Sequence, residues 1–580
     1  MVDLVIQGGT VVDGTGAPAR RADVAIDAGR IVAVGPDLDV SATRRIDAEG
    51  ALVTPGFVDI HTHYDGQATW DPMLAPSSIH GVTSLVMGNC GVGFAPAKPT
   101  AADHDWLIGL LEGVEDIPGT ALAEGLPWDW ESFPDYLDAL GRRHYVLDVA
   151  TQVAHAPLRA YVMGERGADP AESPTGEELA EMYRQVKAGL QAGALGFTTS
   201  RTYVHRTRDG KPLGTRFSST DELIALASAL TDVGHGVIQM ISDAYLSPDE
   251  EYAQSELAMM RDLVRAVRRP LSMTVQQPEH LPDRWRAMAA FAQEMAAEGF
   301  DVKNQVAPRP IGVLLGLTAS LNPLVMTGGY REIATLPLPE RVAALGDPER
   351  RRRIIGELGT DRHEGMIAEL TRGFHKMFAM EDPVDYEPSP SLSVAGLAAA
   401  QGRNPADVAY DLLLQRDGNQ LIYMPLFNWA HENLDDVREM LLAPRSLMGL
   451  SDAGAHCGAV SDGSFSSTML ALWGRDRTRG EQLPLELLVH HLTQRTANHV
   501  GWFDRGVLAP GLLADSNVID LDSLAVHPPT IVHDLPAGGK RLMQTASGYR
   551  YTVKTGTVTF EGGVHTGVLP GGLVRGPQAA

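Results

Sequence analysis

A chain of 580 residues, 44% hydrophobic and 21% charged, is long enough for one large domain with appendages or for two to four domains. Its formal charge of −25, from 48 basic against 73 acidic side chains, excludes nucleic acid and anionic membranes as natural partners, because like charges repel. With only two cysteines, Cys90 and Cys457, a disulfide framework is excluded as well, and each thiol is weighed singly.

The chain opens on "MVDLVIQGGTVVDGTG", strand-and-turn sequence without a basic leader or a continuous apolar core. No uninterrupted apolar run is long enough to span a bilayer, so the cytoplasm is the expected location. Residues 1–53 alternate short β-rich runs with turns such as "GTG" and "DAGR", which predicts a small antiparallel β unit. The far end has the same texture ("LADSNVIDLD", "YRYTVKTGTVTFEGG"), so both ends are expected to build one β-sandwich: residues 1–54 plus 505–575, a discontinuous domain.

Between them, at 55–504, short apolar runs recur at 55–63, 81–90, 146–154, 193–199, 236–242, 271–276, 300–307 and 447–452. Amphipathic helical stretches at 177–191, 222–233 and 284–298 separate several of them. Strand alternating with helix means βα units and a parallel sheet, and eight such strands fit an α/β fold of the (β/α)8 TIM-barrel type. A doubly wound sheet uses the same alternation; the eight units with polar residues at successive strand ends favour the barrel. The long gap at about 308–446, with its Pro/Ser-rich "VDYEPSPSLSVAG", reads as an insertion over the active face.

Barrel chemistry collects where strands end at the C-terminal face. Those ends carry His61 and His63 on the first strand, Cys90 on the second, Gln239 on the fifth and Asp452 on the eighth. Imidazole, thiolate and carboxylate are the side chains that hold zinc, and an aspartate there could also take a proton from a metal-activated water. Singly, each has an ordinary explanation. A His-X-His pair can cap a strand end, a lone cysteine is a small buried hydrophobe, and an aspartate can cap a helix. Convergence at matching strand ends is what favours a metal site.

The stretches "GFVDIHTHYDGQATWDP", "GVTSLVMGNCGVGFAP", "LSDAGAH" and "RGVLAPGLLADSNVID" resemble the amidohydrolase superfamily, and more narrowly its D-aminoacylase (N-acyl-D-amino-acid deacylase) branch. The resemblance covers essentially the whole chain. It implies His61, His63 and Cys90 as metal ligands, with Asp452 as both ligand and proton-transferring carboxylate. Two family histidines are absent: Gln239 in "IQMISD" stands where the fifth-strand histidine falls, and "SMTVQQ" replaces the sixth-strand segment. Amide oxygens of Gln239 and Gln276 are weaker zinc ligands than imidazole, so a one-metal site is expected rather than two, with zinc or another divalent ion. His155, His205 and His456 are spare imidazoles near strand ends three, four and eight. Arg201 and His205, in the loop after the fourth strand, are candidates to hold a substrate carboxylate, and His155 and Arg159 stand on similar terms. Arg206 and Arg208 read as solvated surface, His490 and His491 as helix packing, and Asn304 and Gln305 as minor polar pocket groups.

The expected activity is hydrolysis of an amide C–N bond, in an N-acyl-amino acid, by a metal-activated water with Asp452 as proton shuttle. A cyclic amide, carbamate or ester would suit the same chemistry, and a non-catalytic ligand-binding barrel with a degenerate metal site is the reading from another class. The expected partner is a small-molecule substrate, with no nucleic acid and no membrane; a homo-oligomer is compatible with the sequence.

Overall fold

The computed structural model describes residues 1–360, 363 and 365–580. Its first five strands are β1 (Val2–Val11), β2 (Arg20–Asp27), β3 (Arg30–Gly35), β4 (Ala42–Asp47) and β5 (Leu52–Pro55). β1 pairs with β2, and β2 with β3, as antiparallel hairpin neighbours. β4 and β5, however, run parallel to β1. The purely antiparallel expectation is therefore corrected: the connection after β3 carries the chain back before β4 begins, and only a tight turn would have reversed it.

The middle of the chain supplies β6 (Phe57–Asp59), β7 (Val82–Met87), β8 (Asp148–Thr151), β9 (Val153–Ala154), β10 (Gly196–Arg201), β11 (Val237–Ser242), β12 (Leu271–Thr274) and β13 (Val302–Val306). β7, β10 and β11 are buried along their whole length, as parallel strands covered on both faces must be. Helices follow the strands with legible boundaries. The Thr175 hydroxyl caps the helix Gly176–Ala192 in a reciprocal box with Glu178, and Gly193 ends it. Ser219 starts Thr220–Val233, which Gly234 ends.

After β13 comes the long insertion. It contains β14 (Ile311–Leu315), β15 (Phe378–Ala379) and β16 (Ile422–Phe427), an antiparallel three-stranded sheet in the order β14-β16-β15. Helices such as Pro405–Gly418 pack on it around a cluster including Val313, Ile354, Leu413 and Met424. The chain then returns at β17 (Ser446–Met448).

All the strands from β6 to β13, with β17, pair in parallel. One sheet is β6-β7-β8, the other β9-β10-β11-β12-β13-β17, and only Gln152 separates β8 from β9 along the chain. At the other edge, the His63 amide donates to the Ala453 carbonyl (2.8 Å) and the Asp452 amide to the His61 carbonyl (3.2 Å). The segments following β6 and β17 thus lie side by side. This order of strands and helices is compatible with a (β/α)8 barrel.

The last strands are β18 (Ser516–Ile519), β19 (Ala525–Val526), β20 (Thr530–Leu535), β21 (Gly539–Met543), β22 (Ala546–Ser547), β23 (Tyr549–Lys554), β24 (Thr557–Glu561) and β25 (Val564–His565). β18 pairs with β5 on one side and β23 on the other, so both chain ends share one nine-stranded sheet. Its core joins Leu4, Ile6, Val24 and Val53 to Val518 and Val553. No helix among the described residues is long and apolar enough to cross a membrane.

Buried ion pairs fasten the layers. Lys554, with no solvent exposure, reaches Asp148 on β8 (2.7 Å) and Asp515 (2.9 Å), and Arg505 reaches Asp148 as well (2.7 Å). On another flank, Glu222 of helix Thr220–Val233 accepts from Arg159 and lies 3.1 Å from His155 Nε2. Burial penalises the Glu222 carboxylate, but His155 and Arg159 more than compensate and hold it at about 2. A depressed carboxylate stabilises the fold above its unfolded value, near 4.3, and that stabilisation fades as pH falls towards 2. Glu222→Gln should therefore cost about 3 kcal/mol at pH 7 in denaturant melts and flatten the acid dependence between pH 4.5 and 2. A variant melting like the wild type at pH 7 would show that the pair contributes nothing.

Candidate metal centre

The site begins where β6 ends. Residues alternate faces along extended chain, so His61 and His63 project one way while Thr62 turns to the neighbouring strand, its hydroxyl donating to the Val86 carbonyl (2.9 Å). His61 donates from Nδ1 to Gln305 Oε1 on β13 (2.5 Å), which leaves Nε2 facing Cys90 Sγ (3.3 Å) and Asp452 Oδ1 (3.2 Å). His63 Nε2 faces the same Asp452 oxygen at 3.6 Å, and its Nδ1 lies 3.3 Å from Glu115 Oε1. Donor atoms of His61, His63 and Cys90 fall within 4.8 Å of one another.

Loops hold the other two donors in strained conformations. Cys90 and Asp452 have φ of 55° and 44°, a left-handed region costly for residues with a side chain. The Cys90 amide donates to Gln239 Oε1 (2.8 Å), and Asn89 donates to the Thr62 and Val86 carbonyls. Gly91 beside it must be glycine: a Cβ there would sit 2.8 Å from the backbone of Thr199 and Ser200 on β10. Gly454, at φ 96°, likewise lets the Asp452 loop press on the His63 carbonyl. Ser451 ties that loop to Asp59 through a 2.6 Å hydrogen bond.

The donor set fits a divalent cation. Two imidazole nitrogens, a sulfur and a carboxylate oxygen meet in the interior, and Asp452 Oδ1 has no well-formed hydrogen bond. His61, His63, Cys90 and Asp452 are the residue types that bind zinc. Burial alone would keep the thiol neutral, pushing Cys90 up to about 12. It also lowers His61. Burial opposes protonation of His63, yet Glu115, Asp452 and Cys90 carry it well above the ordinary histidine range. Burial works against the Asp452 charge too, but His63 and His61 hold this carboxylate well below its usual value. A cation at the meeting point would stabilise thiolate and carboxylate together.

The remaining candidates separate clearly. His205 borders the site: burial, then the neighbouring His63 and His456, push it down to about 3, and its Nδ1 meets the Ser200 hydroxyl at 2.9 Å. His456, also at positive φ, lies 3.8 Å from Glu115 Oε2. Gln239 offers its oxygen to the Cys90 amide rather than to the centre, and Gln276 Oε1 accepts from Tyr245 (3.3 Å). Asp65 is a supporting residue: its carboxylate accepts from the Gly88 amide, and burial raises it to about 7.

Two expectations are corrected. Arg201 is spent on a buried two-point pair with Glu256 (2.6 and 2.8 Å) and on the Ser218 carbonyl, so its guanidinium serves packing between β10 and the helix Glu250–Val267. His155 has both ring nitrogens engaged, by Thr199 (2.9 Å) and Glu222, and Arg159 belongs to the same buried network. Neither arginine nor this histidine is available to a substrate. Glu115 is the residue that sequence reasoning overlooked. It sits seven and four positions after Ile108 and Leu111, on the buried face of the helix Ala101–Glu115, and a carboxylate in that register is the signal that would have found it.

Comparison with known proteins gives the chain a family. The model of the amidohydrolase family matches residues 44–560. A D-aminoacylase of Alcaligenes xylosoxydans xylosoxydans is 35% identical over 236 residues, 41% of this chain and 43% of that protein. An N-acyl-D-glutamate deacylase of the same organism is 40% identical over 206 residues, 35% and 38% of the two chains. These alignments thus span less than half the length of either curated relative. A solved D-aminoacylase structure, studied for its binuclear metal center, superposes with a TM-score of 0.64 at 26% identity, covering 99% of this chain and 100% of that one. The chain belongs to the amidohydrolase family.

Proposed function

We propose that this protein is a metal-dependent hydrolase that cleaves the amide bond of N-acyl-amino acids, with a preference for the D configuration. The observation that carries the reading is that His61, His63 and Cys90 offer donor atoms within 4.8 Å of one another, with Asp452 Oδ1 3.2 Å from His61 Nε2 and 3.6 Å from His63 Nε2. The names of its relatives, D-aminoacylase and N-acyl-D-glutamate deacylase, support the substrate class. We read the parallel strands as a closed (β/α)8 barrel spanning residues 55–504, with 1–54 and 505–575 as the discontinuous β domain. The pairing of β6 to β13 with β17, and the hydrogen bonds between the segments after β6 and β17, support closure.

His61, His63, Cys90 and Asp452 would hold one zinc ion. Gln239 and Gln276 provide no imidazole for a second, and one-metal activation is described for the solved D-aminoacylase. Bound there, a divalent ion supplies Lewis acidity towards a carbonyl and lowers the pKa of water. The chain's own residues do the rest. Asp452, held ionised by the two histidines, accepts a proton from the attacking water at a carboxylate oxygen and returns it to the leaving amide nitrogen. A cavity of about 20 Å³ adjoins Asp452, lined also by Gln67, Ser451 and His456, and has room for one water molecule. His205, neutral at physiological pH, can accept or donate a hydrogen bond at the edge of the site without adding charge. Clefts of about 370 and 530 Å³ share none of the metal-binding residues, so donor convergence rather than cavity size locates the chemistry.

With a panel of N-acyl-amino acids in both configurations, exhaustive chelation should abolish hydrolysis and zinc should restore it. Asp452→Asn should lower kcat by about 100-fold or more, the scale of a lost proton-transferring group. Activity that survives both treatments sinks the metal-water mechanism. A purified protein that takes up no metal and hydrolyses no amide is instead a ligand-binding barrel.

A further inference from the structure

Glu115 occupies a costly position. It is the last residue of the helix Ala101–Glu115, where the helix dipole presents its negative end, and it is only 2% exposed. A carboxylate there is disfavoured by the dipole and again by burial. A residue retained against both penalties needs a cationic or donor partner. Glu115 has two: Oε1 lies 3.3 Å from His63 Nδ1, and Oε2 lies 3.8 Å from His456 Nε2. Neither Glu115 Oε1 nor His63 Nδ1 has an aligned hydrogen bond, and the two atoms face each other at 3.3 Å. The helix end is meanwhile anchored through its backbone, because the His456 amide donates to the Glu115 carbonyl and Asp116 accepts from the Gly458 amide.

We propose that Glu115 is a positioning residue for the metal ligand His63, and that it makes up for part of the binding lost with the two missing histidines. The proposal rests on the metal-centre reading above. Both ligand histidines then have an acceptor beside Nδ1: Gln305 takes the Nδ1 hydrogen of His61, and the Glu115 carboxylate lies 3.3 Å from Nδ1 of His63. The Gln305 bond fixes the His61 tautomer that presents Nε2 to the centre, and a carboxylate beside His63 Nδ1 favours the same tautomer there and raises the ring's basicity as a ligand. The charge of Glu115 adds to those of Asp452 and a Cys90 thiolate, which favours a divalent ion over an empty pocket of neutral groups. Through His456, the same carboxylate links the helix to the loop that carries Asp452.

The test is a competitive titration of the metal-stripped full-length protein with Co²⁺ against a chromophoric chelator, following both chelator release and the visible spectrum of the bound ion. Glu115→Ala should weaken the first Co²⁺ site by about 10- to 100-fold, the range found when a ligand's outer partner is lost. Glu115→Gln keeps shape and an acceptor oxygen but not the charge, and should weaken it by about threefold or more. This isosteric variant decides the matter if the alanine variant does not fold. Asp116→Asn, which removes the neighbouring charge and weakens the anchoring to Gly458 but leaves Glu115 in place, should bind Co²⁺ within about twofold of the wild type. The positioning role is overturned if both Glu115 variants also bind within twofold, or if Asp116→Asn is weakened as much as Glu115→Ala. A wild-type protein that binds no Co²⁺, or one in which His63→Ala changes nothing, overturns the metal centre and this role with it.

Discussion

Two buried imidazoles and a buried thiol are gathered in this protein against a partly exposed carboxylate, that of Asp452. Desolvation penalises every charged form among them, and close approach of several donors adds repulsion between lone pairs. Such a cluster is sustained when the surrounding chain holds it rigidly and when something positive can sit at its centre. Much of the architecture around the ends of β6, β7 and β17 serves that requirement.

Much of the support is built from the hydrogen bonds of amide and hydroxyl side chains. Gln305 turns His61, Gln239 holds the Cys90 turn, Asn89 ties that turn to two carbonyls, and Ser451 secures the Asp452 loop. Neutral partners orient the donors without competing for the charge they would share with a metal. Three carboxylates stand beside them: Asp59 accepts from Ser451, Asp65 accepts from the Gly88 amide, and Glu115 faces His63. Left-handed backbone at Cys90, Asp452 and His456 adds local strain, tolerated because the glycines at 91 and 454 let these loops pack tightly.

The strands were legible because of where they lie. Strands covered on both faces are nearly continuous apolar runs, so β7, β10 and β11 stand out from the helices that follow them. The strands of the insertion escaped notice because β14 and β16 pair across more than a hundred residues, and β15 is only two residues long. Arg201 and His155 misled for a related reason. Position at a strand end was readable, but side-chain direction was not, and both turn to carboxylates on the neighbouring helices.

From sequence alone came the alternation of strand and helix, the shared β character of the two ends, and the four donors, since residue type and spacing are local properties. Tertiary structure alone decided which nitrogen of each histidine faces the centre, because that depends on Gln305 and Glu115, 244 positions after His61 and 52 after His63. It also decided that Gln239 supports the cysteine turn instead of replacing a ligand, and that Arg201 is buried in a pair with Glu256. Hydrogen-bond direction and desolvation arise between segments distant in the chain, so they exist only once the strands have been brought together.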